Sequence, residues 1–161
     1  YGDYDILSRS TGEFMSHGRV NFSPKKLIYG QVLPHPCLFT NRSYFEKYGK
    51  FDKNFKVAMD YEWLLRGAQK ERITHVPMLI TKIRNGGIST LDQNRAKEEI
   101  ILALRRNGYF TSRFSEYRTR WYFLMRAFSR RILARLGLYG AFAWIRNKHR
   151  TSTHNKHNAH D

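Results

Sequence analysis

The sequence predicts an α/β domain followed by a basic helical extension. Residues 1–7 and 73–81 have the side-chain pattern of β-strands, and between them apolar residues recur at the spacing of one helix face. That helix face is formed by Tyr61, Leu64, Leu65 and Ala68. Beyond residue 112 the composition changes, because basic residues dominate and apolar residues keep a helical period.

The composition limits the size of the protein and its partners. The chain has 161 residues, enough for one domain with its own core, and a formal net charge of +16. Such a charge predicts an anionic partner, whether lipid headgroups, a diphosphate or nucleic acid. Cys37 is the only cysteine, so no internal disulfide can form, and a reducing compartment fits.

The ends of the chain carry three further expectations. Tyr1 is not a methionine and stands inside a predicted strand, which suggests a piece of a longer protein. No signal peptide is recognisable, and the apolar-rich run 136–145 is shorter than the about 20 residues of a transmembrane helix. Residues 151–161 are polar and rich in histidine, so we expect a disordered tail.

The chain begins with predicted strands joined by a turn. Residues 1–7 alternate enough for a strand, and Ser10-Thr11-Gly12 signals a turn into a second extended stretch at 13–17. A short helix is predicted at 23–30, because Pro24 suits its first position and a glycine stands beyond its end.

A proline-flanked histidine precedes two further elements. Pro34-His35-Pro36 fixes the backbone of His35 and leads into a predicted strand at 37–40. His35 is then either a structural or surface residue, or a side chain that lines a binding pocket. Residues 43–46 have the pattern of a helix capping box, and Gly49 is placed to end that helix.

Asp60 stands at the head of the central predicted helix. A carboxylate at or next to a helix N-cap accepts backbone N–H bonds and faces the positive end of the dipole. Such a carboxylate tends to stay ionised, as a general base must. A simpler role, in which Asp60 only caps the helix, fits the local sequence as well.

A strand and a glycine-rich loop follow this helix. Pro77 cannot donate to a ladder, so the strand at 73–81 is predicted at a sheet edge. In the loop 84–89, paired glycines permit close backbone approach, and Arg84 can bind phosphate oxygens. The loop is either a flexible turn or a lid over a ligand. A scaffold helix is predicted at 94–105.

The predicted extension at 109–150 is basic and amphipathic. Its apolar residues at a helical period are Trp121, Met125, Phe128, Ile132, Leu136 and Tyr139. From Arg113 to Arg150 we count ten lysines and arginines against the single acid Glu116. Basic flanks around aromatic anchors are typical of a helix that lies on an anionic membrane. A helix packed on its own domain is the alternative.

Five segments together resemble a known family. They are Tyr1-Gly2-Asp3, Pro34-His35-Pro36, Phe45-Glu46-Lys47-Tyr48-Gly49-Lys50-Phe51-Asp52, Asp60-Tyr61 with Arg66, and Arg84-Asn85-Gly86-Gly87-Ile88-Ser89. In this order the chain, over roughly residues 1 to 105, resembles the acceptor half of family 2 glycosyltransferases, which are inverting enzymes of the GT-A fold. It is particularly similar to bacterial members that build surface polysaccharides.

The resemblance implies an architecture and an activity. Residues 1–108 would be the C-terminal portion of a GT-A, Rossmann-like sheet domain whose nucleotide-binding half is absent, and 109–150 the basic amphipathic extension. The activity would be sugar transfer from a nucleotide-sugar donor to a hydroxyl of a glycan or lipid-linked acceptor in cell-envelope polysaccharide biosynthesis. The implied location is the cytoplasm, peripherally on the inner face of the plasma membrane.

Individual residues receive roles from the same resemblance. Asp60 would be the general base that deprotonates the acceptor hydroxyl. His35 and Tyr61 would bind the acceptor. The lid at the donor diphosphate would be formed by Arg84, Gly86, Gly87 and Ser89.

A divalent metal, Mg²⁺ or Mn²⁺, is implied for the complete enzyme, with its ligands mostly outside this chain. Asp3-Tyr4-Asp5 spells the Asp-x-Asp pattern of such a site. In the resembled family, however, the metal motif lies upstream of the Tyr-Gly-Asp strand. We therefore assign no metal site within this sequence.

Two other interpretations stay open. The chain could be a non-catalytic basic module that binds a membrane or nucleic acid through its C-terminal helices. Because no RNA-binding motif is present, we do not expect a nucleic-acid partner. The chain could also be an inactive remnant of a transferase, and without the nucleotide-binding half we expect the fragment alone to be inactive.

Overall fold

The computed structural model describes residues 1–30 and 33–137, except for the side chains of Ile88 and Ser89. The strands are β1 (Asp3–Leu7), β2 (Phe14–Gly18) and β3 (Leu79–Arg84). The helices are α1 (Arg42–Tyr48), α2 (Met59–Gly67), α3 (Ile88–Leu91), α4 (Gln93–Arg106) and α5 (Arg113–Arg135). Two 3₁₀ turns, Pro24–Tyr29 and His35–Cys37, lie between β2 and α1.

The chain divides into two compact units, Tyr1–Arg120 and Trp121–Asp161. This division falls within α5, and the expected boundary at residue 108 stays a prediction. The distal part of the predicted extension, from residue 138, and the predicted tail at 151–161 lie outside the described residues.

The three strands form one sheet in the order β2-β1-β3. β1 and β2 pair antiparallel as a hairpin, whose turn contains Gly12 at a φ of 76°. β1 and β3 pair in parallel, with Leu7 opposite Arg84. The carboxyl ends of β1 and β3 therefore meet at one edge of the sheet, where open α/β sheets bind their ligands.

Helix α2 carries the centre of the core. Its side chains Tyr61, Leu64 and Leu65 are buried and pack with Leu27 of the first 3₁₀ turn and Leu104 of α4. Burial of one such side chain stabilises the fold by roughly 1.5–3 kcal/mol. The predicted apolar face of this helix is confirmed, and it fixes the rotation of α2 about its own axis.

Several other predicted elements are confirmed. β1 lies within the expected stretch 1–7, β2 overlaps the expected stretch 13–17 and ends one residue later, and α4 matches the predicted helix at 94–105. The predicted helix at 23–30 is a tighter 3₁₀ turn that Gly30 ends with a left-handed φ of 71°. Gly49 ends α1 as predicted, at a φ of 79°.

The predicted strand at 37–40 is wrong. The chain forms the 3₁₀ turn His35–Cys37 instead, in which the N–H of Cys37 donates to Pro34 O at 3.0 Å and that of Leu38 to His35 O at 3.1 Å. Pro36 lies inside this turn, where its fixed φ and its missing N–H are no disadvantage.

Two boundaries also differ from those predicted. Helix α1 is capped by Asn41, whose Oδ1 accepts the Ser43 N–H at 3.0 Å, because asparagine caps at least as well as serine. Strand β3 begins at Leu79, after Pro77 has interrupted the ladder. Within the described sheet β3 is an edge strand, as expected.

Candidate active site

Asp60 is the second residue of α2, and Ala58 is the N-cap residue. The half-buried Asp60 side chain accepts the N–H of Tyr61 through Oδ1, at 2.7 Å. Its Oδ2 has no hydrogen-bond partner among the residues that the structure describes. Asp60 therefore lies in the first turn, two positions after the N-cap residue instead of at or next to it, and holds one oxygen free at the positive end of the helix.

The carboxylate that anchors the start of α2 belongs to Glu99, on α4. Its Oε2 accepts the N–H groups of Lys56 at 3.0 Å, Val57 at 2.8 Å and Ala58 at 2.9 Å. These three residues lead directly into the helix, so the buried Glu99 side chain sets where α2 begins. The capping that the sequence suggested for Asp60 is thus supplied from another helix.

The environment of Glu99 keeps it ionised. Burial of this carboxyl group opposes ionisation, but the hydrogen bonds from the backbone N–H groups and from the Arg95 guanidinium outweigh burial. Together they lower the pKa of Glu99 to about 2. Arg95 Nε lies 2.9 Å from Glu99 Oε1, so the charge is also paired within α4.

A second ion pair ties the preceding loop to α2. Arg66 binds the buried Glu62 carboxylate one turn earlier in the helix. Arg66 Nη1 also donates to the carbonyl oxygens of Tyr48 at 2.8 Å and Lys50 at 2.9 Å. The loop between α1 and α2 is consequently held at its start by Arg66 and at its end by Glu99.

His35 lies beside the first half of α2. Its exposed ring packs edge-on against Phe51 and Trp63, with ring centroids 5.4 Å and 6.3 Å away. Trp63 follows Asp60 by three residues, so the two share one side of the helix. The structure thus brings His35 to the helix that carries Asp60, although no hydrogen bond joins these two described residues.

The Tyr61 side chain does not lie on the side of α2 near Asp60 and His35. Its side chain is buried in the core, and its hydroxyl donates to the carbonyl oxygen of Leu27. Burial also raises the pKa of the Tyr61 phenol. Its hydroxyl is therefore not presented to an acceptor in this structure, and Tyr61 fixes α2 onto the first 3₁₀ turn instead.

The glycine-rich loop is tied to the end of the hairpin. Arg9 donates from its backbone N–H to Asn85 Oδ1 at 2.8 Å and from Nη1 to Gly86 O at 2.5 Å. The Arg84 side chain is exposed and forms no ion pair or hydrogen bond within the described part of the chain. Gly87 O accepts the Thr90 N–H at 2.9 Å as α3 begins, while the Ser89 side chain lies outside the described residues.

This geometry places two arginines, Arg9 and Arg84, at the carboxyl edge of β1 and β3. The sequence predicts only Arg84 at this position. Guanidinium groups suit the oxygens of a phosphate, and this edge is the usual ligand-binding edge of such sheets. The loop is not a freely moving turn, because Arg9 and Asn85 close it onto the hairpin.

The two glycines of this loop are expected to differ in their tolerance of substitution. Gly86 has a φ of 79°, and a Cβ there would meet Arg9 Cδ at an ordinary 3.5 Å, so backbone strain alone opposes Gly86→Ala. We expect Gly86→Ala to lower the free energy of unfolding by about 1–2 kcal/mol. Gly87→Ala, whose Cβ would meet nothing within 4 Å, is the matched control and should cost less than about 0.5 kcal/mol. Urea unfolding measures both, and equal losses would contradict the observed loop geometry.

The domain also contains a cavity of about 700 Å³, which shares Trp63 with the surroundings of His35. Its lining includes Phe39, Tyr44, Trp63, Val76 and Met78. Of the predicted site residues that the structure describes, none lines this cavity. We therefore do not assign it to the candidate active site.

The residues that the structure describes do not fit a divalent metal. Asp3 pairs with His75 at 2.7 Å, and Asp5 with His17 at 2.5 Å, so both carboxylates of the Asp-x-Asp pattern are engaged elsewhere. Within residues 1–30 and 33–137, no group of three or more potential ligands is arranged to hold a metal ion.

Comparison with known proteins gives one kind of relative. The chain is 28% identical, over 109 residues, to uncharacterized glycosyltransferases from two strains of Mycobacterium tuberculosis. The match covers 67% of this chain and 40% of each relative, so the chain spans about two fifths of their length. No family model matches the chain, and no solved structure matches it. The chain is thus weakly similar to glycosyltransferases, and its mixed α/β fold with a small sheet is compatible with part of such a domain.

Proposed function

We propose that the chain supplies the acceptor side of an inverting, family 2 glycosyltransferase of the GT-A type. Its substrates would be a nucleotide-sugar and a hydroxyl of a glycan or lipid-linked acceptor, in the synthesis of cell-surface polysaccharide. The observation that carries the proposal is the Asp60 carboxylate, with one free oxygen at the start of α2. The similarity to glycosyltransferases supports the reaction class.

The proposed chemistry is a single displacement. Asp60 Oδ2 takes the proton of the acceptor hydroxyl while the hydroxyl oxygen forms a bond to the anomeric carbon. The bond between that carbon and the donor diphosphate breaks, and the nucleoside diphosphate leaves with the bonding electrons. Attack from the opposite face inverts the anomeric configuration.

The surrounding residues would orient the two substrates. His35, exposed beside Trp63, would border the acceptor. Arg84 and Arg9, at the carboxyl edge of the sheet, would stabilise the negative charge of the leaving diphosphate. A divalent ion, if the complete enzyme uses one, would take its ligands from outside the described residues.

Helix α4 would connect the start of α2, where Asp60 lies, to the loop 84–89. Its N-terminus follows the loop 84–89, and its Glu99 anchors the start of α2, two helical turns further along. At 1.5 Å per residue, the α4 cap Asp92 lies about 10 Å from Glu99 along the helix axis. A rigid helix of this length would hold the base and the diphosphate loop at a fixed separation.

The proposal predicts that the isolated chain does not bind the donor nucleotide. The first strands of the family, which bind the nucleotide, are not part of this sequence, so titration calorimetry with UDP and Mn²⁺ should give no saturable heat. A longer protein that contains this chain and a nucleotide-binding half should bind UDP saturably under the same conditions. Micromolar, metal-dependent binding to the isolated chain would contradict the assignment of this chain to the acceptor side.

A further inference from the structure

Helix α5 carries an apolar stripe that is open to solvent. The side chains of the stripe are between 39% and 74% exposed. They are Phe114, Tyr117, Trp121, Leu124, Met125, Phe128 and Ile132. At about 100° per residue they fall within an arc of about 100°, on one side of the helix. Seven large apolar side chains in one continuous exposed row are unusual for a surface that faces only water.

The charge of α5 is almost entirely positive and largely uncompensated. The helix contains seven arginines and a single acid, Glu116. Glu116 already binds Arg105 at 2.7 Å and Arg120 at 3.0 Å. The other six arginines form no ion pair within the part of the chain that the structure describes. They are Arg113, Arg118, Arg126, Arg130, Arg131 and Arg135.

Three of these arginines flank the stripe. At about 100° per residue, Arg118 falls on one side of the stripe and Arg113 and Arg131 fall on the other. An arginine in this position can lay its methylene stem along an apolar surface and extend its guanidinium to a phosphate. Tryptophan and tyrosine, as at Trp121 and Tyr117, favour the boundary between apolar and polar layers.

We propose that α5 is a docking surface for an anionic lipid bilayer. The stripe is buried at the level of the headgroups and upper acyl chains, and the flanking arginines bind lipid phosphates. In this proposal the helix lies along the surface of the bilayer. Among the described residues, none of the helices has the length and apolar character that crossing a bilayer requires. This surface goes beyond sugar transfer, since it involves none of the candidate active-site residues.

Two other occupants fit α5 less well. A second copy of the chain, packed stripe to stripe, would bring the flanks of two arginine-rich helices together, and like charges at an interface repel. Nucleic acid would bind the arginines but would leave aliphatic side chains such as Leu124 and Ile132 in water. An anionic bilayer satisfies the flanking cations and the apolar row at once.

The test uses the full chain and two kinds of vesicle. One is phosphatidylcholine alone, and the other contains about 30% phosphatidylglycerol, so that the anionic headgroup is the only variable. In sedimentation we expect at least about tenfold stronger partitioning to the anionic vesicles, and a fall in this partitioning as salt is raised. Equal partitioning to both vesicles, or none to either, would overturn the proposal.

Single substitutions on two faces of α5 then test the stripe itself. Phe128→Glu should weaken partitioning by about tenfold or more, because it places a charge in the apolar row. Ala134→Glu adds the same charge at an exposed position away from the stripe and should change partitioning by less than about threefold. Phe128→Ala, which raises helix propensity, should weaken partitioning by about three- to tenfold and guards against a folding defect in the glutamate variant.

The rival occupants give distinguishable results. The chain could bind a single-stranded oligonucleotide more tightly than anionic vesicles, with no effect of Phe128→Ala. That result would identify nucleic acid, and not a bilayer, as the partner of α5. Sedimentation velocity could instead show a dimer that Phe128→Glu dissociates, with no vesicle binding by either protein. That result would identify a second copy of the chain as the partner of α5. Equal effects of Phe128→Glu and Ala134→Glu on vesicle binding would show that charge alone acts and would overturn the apolar contact.

Discussion

Asp60→Asn is expected to lower kcat by about 10²–10⁴-fold in a glycosyltransferase that contains this chain, the usual contribution of a general base. Asparagine keeps the size of the side chain and an oxygen for the Tyr61 N–H, but it cannot take up a proton at neutral pH. Donor binding should therefore survive. The melting temperature should change little, because asparagine suits the start of a helix about as well as aspartate.

Asp52→Asn is the matched control for this variant. Asp52 Oδ1 accepts the Asn54 N–H at 2.9 Å, and Oδ2 pairs with Arg106 at 3.0 Å. Asparagine retains the acceptor for Asn54 and loses the pair with Arg106. Partly exposed pairs of this kind contribute at most about 1 kcal/mol to the free energy of unfolding. Because the proposal gives Asp52 no role in the reaction, kcat of the Asp52→Asn enzyme should stay within about twofold of the wild-type value. A fully active Asp60→Asn enzyme, measured beside this control, would leave Asp60 as a first-turn residue without a catalytic role.

Glu99→Gln is expected to produce a large loss of stability. The folded protein holds the pKa of Glu99 at about 2, whereas the unfolded chain has an ordinary value near 4.3. A depressed pKa stabilises the fold at pH values above the unfolded pKa, and this contribution is lost as the pH falls toward 2. The difference corresponds to about 3 kcal/mol at pH 7.

Urea unfolding at several pH values measures this effect. At pH 7 the variant should be about 3 kcal/mol less stable than the wild type, and the gap should narrow below about pH 4. Glu98→Gln is the control, because Glu98 is exposed and lies 3.4 Å from Arg120 in a weak pair. A Glu99→Gln loss that is as small as the Glu98→Gln loss, or that does not change with pH, would contradict the anchoring of α2 by Glu99.

Local sequence signals were sufficient for elements whose stability depends on their own residues. The apolar period predicted the buried face of α2, and glycine and proline positions predicted the hairpin turn, the end of α1 and the turn before Gly30. Asn41 shows the limit of this approach, since two good capping residues stood two positions apart and the earlier one was used.

Long-range hydrogen bonds could not be predicted in the same way. Glu99 binds backbone groups 41 to 43 residues earlier in the chain, and Arg9 reaches Gly86 across 77 residues. One signal for Glu99 was present, because it stands with Ala96 and Ala103 on the buried side of α4. A charged residue within a buried stripe requires hydrogen-bond partners, and here those partners are the groups that position Asp60.

Tyr61 illustrates a conflict between two sources of prediction. Helical periodicity placed it in the core, and the structure agrees. The family resemblance suggested contact with the acceptor, which its buried hydroxyl does not offer. The role of a motif residue thus depends on which way its side chain points, and that is fixed by the packing of α2 rather than by the motif.

The most direct test of the proposed function is the anomeric configuration of the transferred sugar. A protein that carries this chain together with a nucleotide-binding half would be incubated with a nucleotide-sugar and a hydroxyl acceptor, and the product examined by NMR. Single displacement with Asp60 as the base predicts release of nucleoside diphosphate that depends on the acceptor, a product of inverted configuration, and the loss of both in Asp60→Asn. A product of retained configuration, or undiminished formation of product by Asp60→Asn, would contradict it.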